Sequence, residues 1–442
     1  MSPAAFHVKE HTVPTAHIRE YARATLDDQE DVLYLAVKQY TPKTTYPTTT
    51  KVTIVGAHAN GFPKELYEPL WDELYDRLRA KNIGITSIWI ADVAHQGTSG
   101  VFNERQLGND PSWLDHPRDM FLMVNHFRKE MKRPLIGIGH SMGGNNLVNL
   151  SLMHPRLFTT LILIDPVIQR QVSRIGNYAP ARASVKRRDQ WPSRKAAEAA
   201  FKRSKFYQTW DPRVLDLWVQ YGLRDLPTHL YPKAIPTSNA TPLLTADPST
   251  STVIPTGDKE VTLTTTKHQE VLTFLRMKSS PIADSALPAE ITNPDLDPEL
   301  KDDSSFYSPA LVSTFNKLPH LRPSVRYIYG DQSPLSAPLH IADRRAMTGI
   351  GVGGSGGMKK GTVTDVTFRG VGHLIPMEDV AQTAEACADW VVPELERWAV
   401  LEAAERREWA AVPVQKRSQM TELFVRKMNE DGEGGARKAS KL

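Results

Sequence analysis

The sequence predicts an α/β protein whose mostly parallel sheet carries helices on both faces and is interrupted by a largely helical insertion. Three observations support this fold class. Apolar, strand-like runs alternate with helix-like stretches over residues 1–166. That rhythm is lost over residues 167–318 and returns over residues 319–410. A G-x-S-x-G turn at residues 139–143 joins an apolar run to a helix-like stretch. Strands and helices that alternate in this way build a parallel sheet covered on both sides.

The first part of the core, residues 1–166, is predicted from its apolar periodicity. Runs of β-branched and aromatic residues predict strands at residues 32–37, 51–55, 83–90, 134–138 and 160–164. Helix-like stretches begin at Pro63 and cover residues 111–131 and 145–153. The helix at Pro63 carries leucines at four-residue spacing, which predicts one buried stripe made of Leu66, Leu70, Leu74 and Leu78.

Residues 167–318 are predicted to be an insertion in the core. Its predicted parts are a basic helix at 187–203, an apolar-faced helix at 211–226 and a strand followed by a helix at 261–275, separated by loops at 228–257 and 281–305. The insertion comes after the strand that follows the G-x-S-x-G helix, and this place favours a lid over the site. The alternative is an irregular extension without a role there.

The second part of the core, residues 319–410, returns to strands and ends on a helix. Strands are predicted at residues 324–329 and 363–368, and a closing helix at 380–407. A G-x-G-x-x-G string lies within residues 349–357, but it does not follow a first strand, so we expect a loop rather than a dinucleotide site. Residues 411–442 form a charged tail with one short helix.

Composition limits the classes of partner. A net charge of +4 over 442 residues gives no electrostatic footprint for nucleic acid. No apolar run approaches the length of a transmembrane segment. The one cysteine, Cys387, excludes an intramolecular disulfide and is expected to be a small buried residue. We expect neither a metal ion nor a cofactor.

The G-x-S-x-G turn predicts a nucleophile at Ser141. A strand-like run leads into it and a helix-like run leads out, which is the arrangement of the nucleophile elbow in α/β-hydrolases. Gly139 and Gly143 stand two residues on either side because the turn leaves no room for larger side chains. The serine Oγ is then exposed on a strained corner at the N-terminus of a helix. The alternative is a glycine turn that arose by chance.

A serine nucleophile needs a base and an acid. His373 lies in a glycine-flanked loop after the last strand, where this fold places its histidine. In most such enzymes the acid lies three residues after the glycine that ends the preceding strand, and Ser333 stands there. Two carboxylates remain, Asp331 on the same loop and Asp165 at the end of the strand after the elbow helix. We favour Asp165 because some members of the superfamily take their acid from that strand, and haloalkane dehalogenases show a comparable spacing.

An oxyanion formed at Ser141 needs two backbone N–H donors. We expect one from Met142, directly after the nucleophile. Residues 60–63, Asn-Gly-Phe-Pro, resemble the H-G-F-P loop of many hydrolases with Asn in place of His, and this register makes the Phe62 amide the second donor. His58 either braces this loop or is an ordinary buried histidine.

Aromatic residues of the insertion are expected to divide between the core of a lid and the lining of an apolar substrate pocket above Ser141. They are Trp191, Phe206, Trp210, Trp218 and Tyr221.

Several strings together resemble a fungal group of peroxisomal α/β-hydrolases, which includes the yeast peroxisomal matrix lipase and the host-selective toxin-biosynthesis hydrolases. The strings lie at residues 58–65, 139–143, 164–166 and 210–218 and at the C-terminal Ser-Lys-Leu. The resemblance spans nearly the whole chain and is thinnest over residues 228–305. It implies a lidded serine hydrolase that acts on an apolar acyl substrate in the peroxisome.

We therefore expect hydrolysis of a carboxylic ester or thioester. Ser141 attacks, His373 transfers the proton, and water releases the acid from an acyl-enzyme. Epoxide hydrolases and dehalogenases share the fold but use an aspartate nucleophile, so the serine disfavours both. Acyl transfer to an alcohol or amine in secondary metabolism is one alternative, and a non-catalytic binding protein of the same fold is another.

The residues Ser440, Lys441 and Leu442 match the peroxisomal import signal. The glycine-rich polar run before them, residues 431–438, predicts a flexible tail that an import receptor can reach. We expect a location in the peroxisomal matrix, with that receptor as a partner besides the small acyl substrate.

Overall fold

The structure is a computed structural model that describes residues 4–44, 46–48, 50–172, 174–232, 259–279, 287–297 and 304–439. The chain divides into two compact units, Met1–Val392 and Pro393–Leu442. The first unit contains the sheet and the insertion. The predicted import signal at Ser440, Lys441 and Leu442 lies outside the described residues.

An eight-stranded sheet forms the centre of the first unit. Its strands are β1 (Phe6–Pro14), β2 (Tyr34–Pro42), β3 (Thr50–Ala57), β4 (Ile83–Ala91), β5 (Leu135–His140), β6 (Thr160–Ile164), β7 (Ser324–Gly330) and β8 (Val363–Phe368). Their spatial order is β1-β2-β4-β3-β5-β6-β7-β8. The pairs β1–β2 and β2–β4 are antiparallel, and the other pairs are parallel. The prediction of a mostly parallel sheet is confirmed.

The register of the central strands brings their carboxyl ends to one edge. His140 of β5 pairs with Ile164 of β6, and Ile164 pairs with Ile328 of β7. Gly330, the last residue of β7, pairs with Phe368 of β8. The loops that leave these strands therefore start side by side, which is where ligands bind in open parallel sheets.

Helices accompany the strands, as the apolar periodicity predicts. Those outside the insertion are Glu68–Ala80, Gly97–Phe102, Asp115–His126, Met142–Met153, Pro338–Met347, Ile375–Glu378, Val380–Ala411 and Glu422–Ala439. The predicted leucine stripe at residues 66, 70, 74 and 78 is fully buried. Residues 349–357 form the predicted loop before β8, and Cys387 is buried.

The insertion lies between β6 and β7 and is rich in helix. Its helices are Ala179–Lys186, Arg194–Arg203, Lys205–Gln208, Pro212–Tyr221, Lys267–Phe274, Ala289–Thr292 and Pro309–Lys317, preceded by a π-helical turn at Arg174–Tyr178. Two small antiparallel sheets join Gln190–Trp191, Val261–Leu263 and Leu223–Asp225, and Arg276–Met277 with Phe306–Tyr307.

The tail departs from the sequence prediction. Residues 431–438 were expected to be flexible, but they lie within the helix Glu422–Ala439. The prediction of flexibility was based on Gly432, Gly434 and Gly435, each of which costs a helix about 1 kcal/mol relative to alanine. None of the helices in the described part of the chain is both long and apolar enough to cross a membrane.

Candidate active site

The G-x-S-x-G turn is a tight elbow between β5 and the helix Met142–Met153. Ser141 adopts φ 57° and ψ −116°, a strained conformation for a residue with a side chain. A Cβ atom on Gly139 would lie 2.6 Å from the Gly143 carbonyl oxygen, and one on Gly143 would collide with the Ala57 carbonyl. Both positions therefore require glycine. Ser141 is 6% exposed.

Three side chains from three loops meet at this elbow. His373 Nε2 lies 2.8 Å from Ser141 Oγ, and His373 Nδ1 lies 2.7 Å from Asp165 Oδ2. A carboxylate only accepts hydrogen bonds. The His373 proton therefore sits on Nδ1, and Nε2 is left to accept the proton of the serine hydroxyl.

Asp165 is fully buried and well supplied with donors. It follows β6 with φ 39°, and its backbone N–H donates to the Ile328 carbonyl at 2.7 Å. Ser336 Oγ donates to Oδ1 at 2.5 Å, and Ser333 Oγ donates to Oδ2. Burial opposes ionisation, but His373 and the two serines lower the pKa of Asp165 below its usual value. The helping role of Ser333 and Ser336 was missed, because nothing local in the sequence pairs them with residue 165.

Asp331 does not reach the imidazole. Its Oδ1 accepts the Gly370 N–H at 2.7 Å and a Gln332 side-chain N–H at 3.1 Å, and the residue is exposed. It holds the loop that leads to His373. Of the two acids that the sequence left open, the geometry brings Asp165 to the histidine.

A second chain of hydrogen bonds connects the loop at residues 58–63 with the loop that carries His373. The Ala59 N–H donates to Tyr67 Oη at 2.9 Å, and Tyr67 Oη lies 2.9 Å from His140 Nδ1. His140 Nε2 lies 2.9 Å from the His373 carbonyl, so Nε2 carries the proton and Nδ1 accepts from the phenol. Burial lowers the pKa of His140 to about 3, which keeps the ring neutral. Neither Tyr67 nor His140 was predicted from the sequence as a residue of the site.

The loop at residues 58–63, which was predicted to supply an oxyanion donor, is held in place by hydrogen bonds of His58. The Val93 N–H donates to His58 Nε2 at 2.9 Å, and His58 Nδ1 donates to the Ala59 carbonyl at 2.8 Å. Burial lowers the pKa of His58, in keeping with a neutral ring. The Phe62 N–H donates to the Ala59 carbonyl at 3.2 Å, at the long end of the N–H···O range.

A buried ionic network continues from this loop. Lys64 donates to both carboxylate oxygens of Asp92, from its backbone N at 2.9 Å and from Nζ at 2.6 Å. Lys38 Nζ lies 3.2 Å from carboxylate oxygens of Glu65 and Glu68. Burial raises the pKa of Glu68 to about 7, although Lys38 opposes this. Burial also disfavours ionised Glu65, yet Lys64 and Lys38 lower its pKa to about 2.

The insertion packs directly on the same loop. The rings of Trp210 and Trp218 meet the Phe62 ring edge to face, with centroids 5.7 and 5.9 Å apart. Asn60 Nδ2 donates to the Glu270 carbonyl at 3.0 Å. A Cβ atom on Gly61 would lie 2.8 Å from a Glu270 carboxylate oxygen, so glycine permits this close approach.

The other aromatic residues named from the sequence make different contacts. Trp191 is buried within the insertion against Phe201, with centroids 5.4 Å apart. Phe206 is 53% exposed. The Tyr221 ring faces Lys38 Nζ, 4.6 Å from the centroid. Of the five aromatics, Trp210 and Trp218 are the two whose rings contact Phe62 within the described residues.

Comparison with known proteins supports the reading of the fold. Residues 54–390 match the profile described as "Alpha/beta hydrolase family". The chain is 43% identical to the type I acyl-CoA thioesterase mpaH of Penicillium roqueforti over 417 residues, which is 92% of each chain. It is 27% identical to the abhydrolase domain-containing protein AFT2-1 of Alternaria alternata, over 59% of this chain and 84% of that relative.

The solved structure of the peroxisomal alpha-beta-hydrolase Lpx1 of Saccharomyces cerevisiae has the same fold. It covers 99% of both chains with a TM-score of 0.63 at 16% identity. The resemblance drawn from the sequence motifs is confirmed by these relatives. The sheet order, the elbow at Ser141 and the profile match over most of the chain agree, and the chain belongs to the alpha/beta hydrolase family.

Proposed function

We propose that this protein hydrolyses a thioester or ester of an apolar acyl group through an acyl-enzyme, with acyl-CoA as the favoured substrate class. The observation that carries this proposal is the continuous hydrogen-bonded chain from Ser141 through His373 to Asp165. It matches in geometry the serine–histidine–aspartate arrangement of hydrolases on several folds.

The proposed reaction has two halves. Ser141 Oγ attacks the acyl carbonyl carbon while its proton moves to His373 Nε2, and ionised Asp165 stabilises the imidazolium. The tetrahedral oxyanion collapses, the bond to the thiolate or alkoxide breaks, and Nε2 returns the proton to that leaving group. Water then attacks the Ser141 ester with His373 as base again. The carboxylic acid leaves and the free serine is restored.

The proposed oxyanion donors are the backbone N–H groups of Met142 and Phe62. The Met142 amide opens the helix that follows the nucleophile. The Phe62 amide is held by the Ala59 carbonyl at 3.2 Å, and a developing negative charge is a stronger acceptor than that neutral carbonyl. Binding of the oxyanion would therefore draw this amide toward the substrate.

The thioester class is favoured by a relative that matches most of the chain. The Penicillium roqueforti protein is named a type I acyl-CoA thioesterase and matches 92% of this chain at 43% identity. We further propose that the insertion, residues 167–318, is the lid. Trp210 and Trp218 contact Phe62 in the loop at residues 58–63, which we call the oxyanion loop, and these contacts support this role.

Replacement of the nucleophile tests the proposal. We expect Ser141→Ala to lower hydrolysis of a medium-chain acyl-CoA by a factor on the order of 10³ or more, because no hydroxyl remains to form the acyl-enzyme. A fluorophosphonate probe should label the wild type and not this variant. Ser151→Ala is a matched control, since Ser151 is buried on the helix that follows Ser141 and lies about 15 Å further along its axis. Labelling that persists in Ser141→Ala would contradict the proposed nucleophile.

We also propose import into peroxisomes through Ser440, Lys441 and Leu442. A fluorescent protein fused to the N-terminus should give a punctate peroxisomal signal, and the same fusion at the C-terminus should not, because it masks the terminal carboxylate. A punctate signal from the C-terminal fusion would contradict import by this motif.

A further inference from the structure

The positive charge of this chain is concentrated in one short part of the insertion. Residues 182–205 contain nine arginines and lysines against two carboxylates, which makes this segment +7. The whole chain is +4, so the remaining residues together are −3. A local excess of this size on an otherwise slightly acidic protein creates an attractive field for anions.

Most of that charge faces the solvent. The exposed basic residues of this segment are Arg182, Lys186, Arg188, Lys195, Lys202, Arg203 and Lys205. Lys202 is paired with Glu198 at 2.5 Å. No ion pair joins Arg182, Lys186, Lys195, Arg203 or Lys205 to any other residue in the described part of the chain. We call these five residues the basic face.

The part of the chain that carries Arg182 and Lys186 is connected to the candidate active site through Glu270. The helix Ala179–Lys186 turns Ser184 inward, where its Oγ donates to Glu270 Oε1 at 2.5 Å. Arg187 donates to Glu270 Oε2 at 2.5 Å. The same carboxylate lies against Gly61 of the oxyanion loop. Arg182 and Lys186 are two residues on either side of Ser184, about 3 Å along the helix axis, and point outward.

The chemistry of an acyl-CoA matches this arrangement. The thioester lies at one end of the molecule, and a diphosphate and a ribose phosphate lie at the other, joined by a flexible pantetheine arm. Lysine and arginine side chains are the usual partners of phosphate groups in proteins. A hydrolase that takes this substrate needs an apolar pocket near the nucleophile and a cationic surface near its mouth.

We propose that the basic face binds the phosphate groups of coenzyme A while the thioester reaches Ser141, with Arg182 and Lys186 as the principal contacts. This inference rests on the proposed thioesterase function. By this inference the insertion recognises the coenzyme A part of the substrate, in addition to any contact with the acyl chain.

The test compares two thioesters of the same medium-chain acid. One is the acyl-CoA, and the other is the N-acetylcysteamine thioester, which lacks every phosphate. In the double variant Arg182→Glu/Lys186→Glu we expect KM for the acyl-CoA to rise about tenfold with kcat unchanged, and both constants for the N-acetylcysteamine thioester to stay the same. Added KCl should raise the wild-type KM for acyl-CoA and have little effect on the variant.

The double variant Lys359→Glu/Lys360→Glu is the matched control. Both lysines are exposed on a 3₁₀ turn before β8, so the change in net charge is identical but lies outside the insertion. We expect its KM for acyl-CoA to remain within about twofold of the wild type. An equal rise in KM in both double variants would show a general charge effect and overturn the proposal.

Two further outcomes would overturn it. A parallel rise in KM for the N-acetylcysteamine thioester would show that the substitutions act through the fold of the insertion. The second outcome concerns membranes. If Ser141→Ala binds anionic phospholipid vesicles, and Arg182→Glu/Lys186→Glu abolishes this binding without changing the affinity for free CoA, the basic face binds a membrane instead. Loss of the proposed function would look different, because neither thioester would then be hydrolysed by the wild type.

Discussion

At the scale of single residues, the proposed acid, Asp165, follows β6, whereas the sequence pattern of this fold directs attention to the loop after β7. Ser333, three residues after the glycine that ends β7, donates a hydrogen bond to the Asp165 carboxylate. The spacing between Asp165 and Ser141 and the analogy with other members of the superfamily favoured Asp165 over Asp331. They could not show that Ser333 and Ser336 hold the carboxylate, because those contacts span about 170 residues of sequence.

Substitution of the two aspartates separates their roles. We expect Asp165→Asn to lower kcat on the order of 10³- to 10⁴-fold, because His373 loses the partner that fixes its tautomer and stabilises its positive charge. Asp331→Asn is the matched control and should change kcat by less than about threefold, since the amide oxygen can still accept the Gly370 N–H. Steady-state kinetics on one acyl-CoA decides the question. The reverse ranking would give the role of the acid to Asp331.

The chain Ala59–Tyr67–His140–His373 predicts a positioning role for Tyr67. In Tyr67→Phe, the Ala59 N–H loses its acceptor and His140 loses its donor. The hydrogen bonds that connect the oxyanion loop with the loop of His373 are then broken. We expect kcat to fall by about 10- to 100-fold with KM nearly unchanged. The phenol is buried, so the substitution should also lower the free energy of unfolding.

Tyr75→Phe is the control for that measurement. The Tyr75 phenol donates to the Thr44 carbonyl at 3.1 Å, away from the site, and its loss should lower stability without lowering kcat. Equal values of kcat for Tyr67→Phe and the wild type would leave Tyr67 with a structural role alone.

At the scale of elements, the sequence predicts the helices and strands whose apolar pattern lies within one continuous segment. The leucine stripe, the central strands and the strand-then-helix at residues 261–275 follow from periodicity within one segment. Strand β1 was missed because most of its residues are exposed and show no apolar alternation. The short strands Gln190–Trp191 and Leu223–Asp225 were predicted as helix, because their partner Val261–Leu263 lies far along the chain.

The packing of the insertion on the oxyanion loop predicts control of substrate length. In Trp210→Phe, the smaller ring leaves space beside Phe62, and we expect the preferred acyl chain to lengthen while the rate on a short, water-soluble ester changes little. A series of acyl chain lengths measures this. Trp191→Phe is the matched control, since Trp191 is equally buried but packs on Phe201. The same length profile in both variants would show that the insertion does not select the substrate.

At the scale of the whole molecule, two sets of buried titratable groups oppose each other in acid. Among the described residues, burial lowers the pKa of four fully buried histidines: His58, His95, His116 and His140. Burial raises the pKa of three carboxyl groups: Glu68, Asp115 and Glu270. The histidines favour the folded state above their unfolded pKa of 6.5, and this contribution is lost as the pH falls toward 3. The carboxyl groups favour the folded state below their unfolded pKa, and their contribution is lost as the pH rises toward 6 or 7.

This opposition predicts that the free energy of unfolding falls less steeply with acid between pH 6.5 and 4.5 than it does below pH 4.5. Below that value Glu68, Asp115 and Glu270 no longer offset the loss, while unfolding still adds protons to the histidines and to Glu65 and Asp165, whose pKa values are lowered in the folded state. Urea unfolding at a series of pH values measures the slope. Glu68→Gln should make the unfolding free energy fall more steeply with acid between pH 7 and 4.5, and His140→Gln should make it fall less steeply. Equal slopes in the two variants would contradict these protonation states.

The alignment of β6 and β7 has a consequence for how such enzymes diverge. Ile164 pairs with Ile328, so the two strands bring Asp165 and Ser333, which follow them, into hydrogen-bonding contact beside His373. A carboxylate at position 165 and one at position 333 would occupy neighbouring space, and the position without the acid can keep a hydroxyl as its helper. The acid can thus migrate between two points that are 168 residues apart in sequence while the reacting atoms stay where they are. A search that ties this role to one position in the alignment would pass over such a chain, although His373 still has a carboxylate 2.7 Å from its Nδ1.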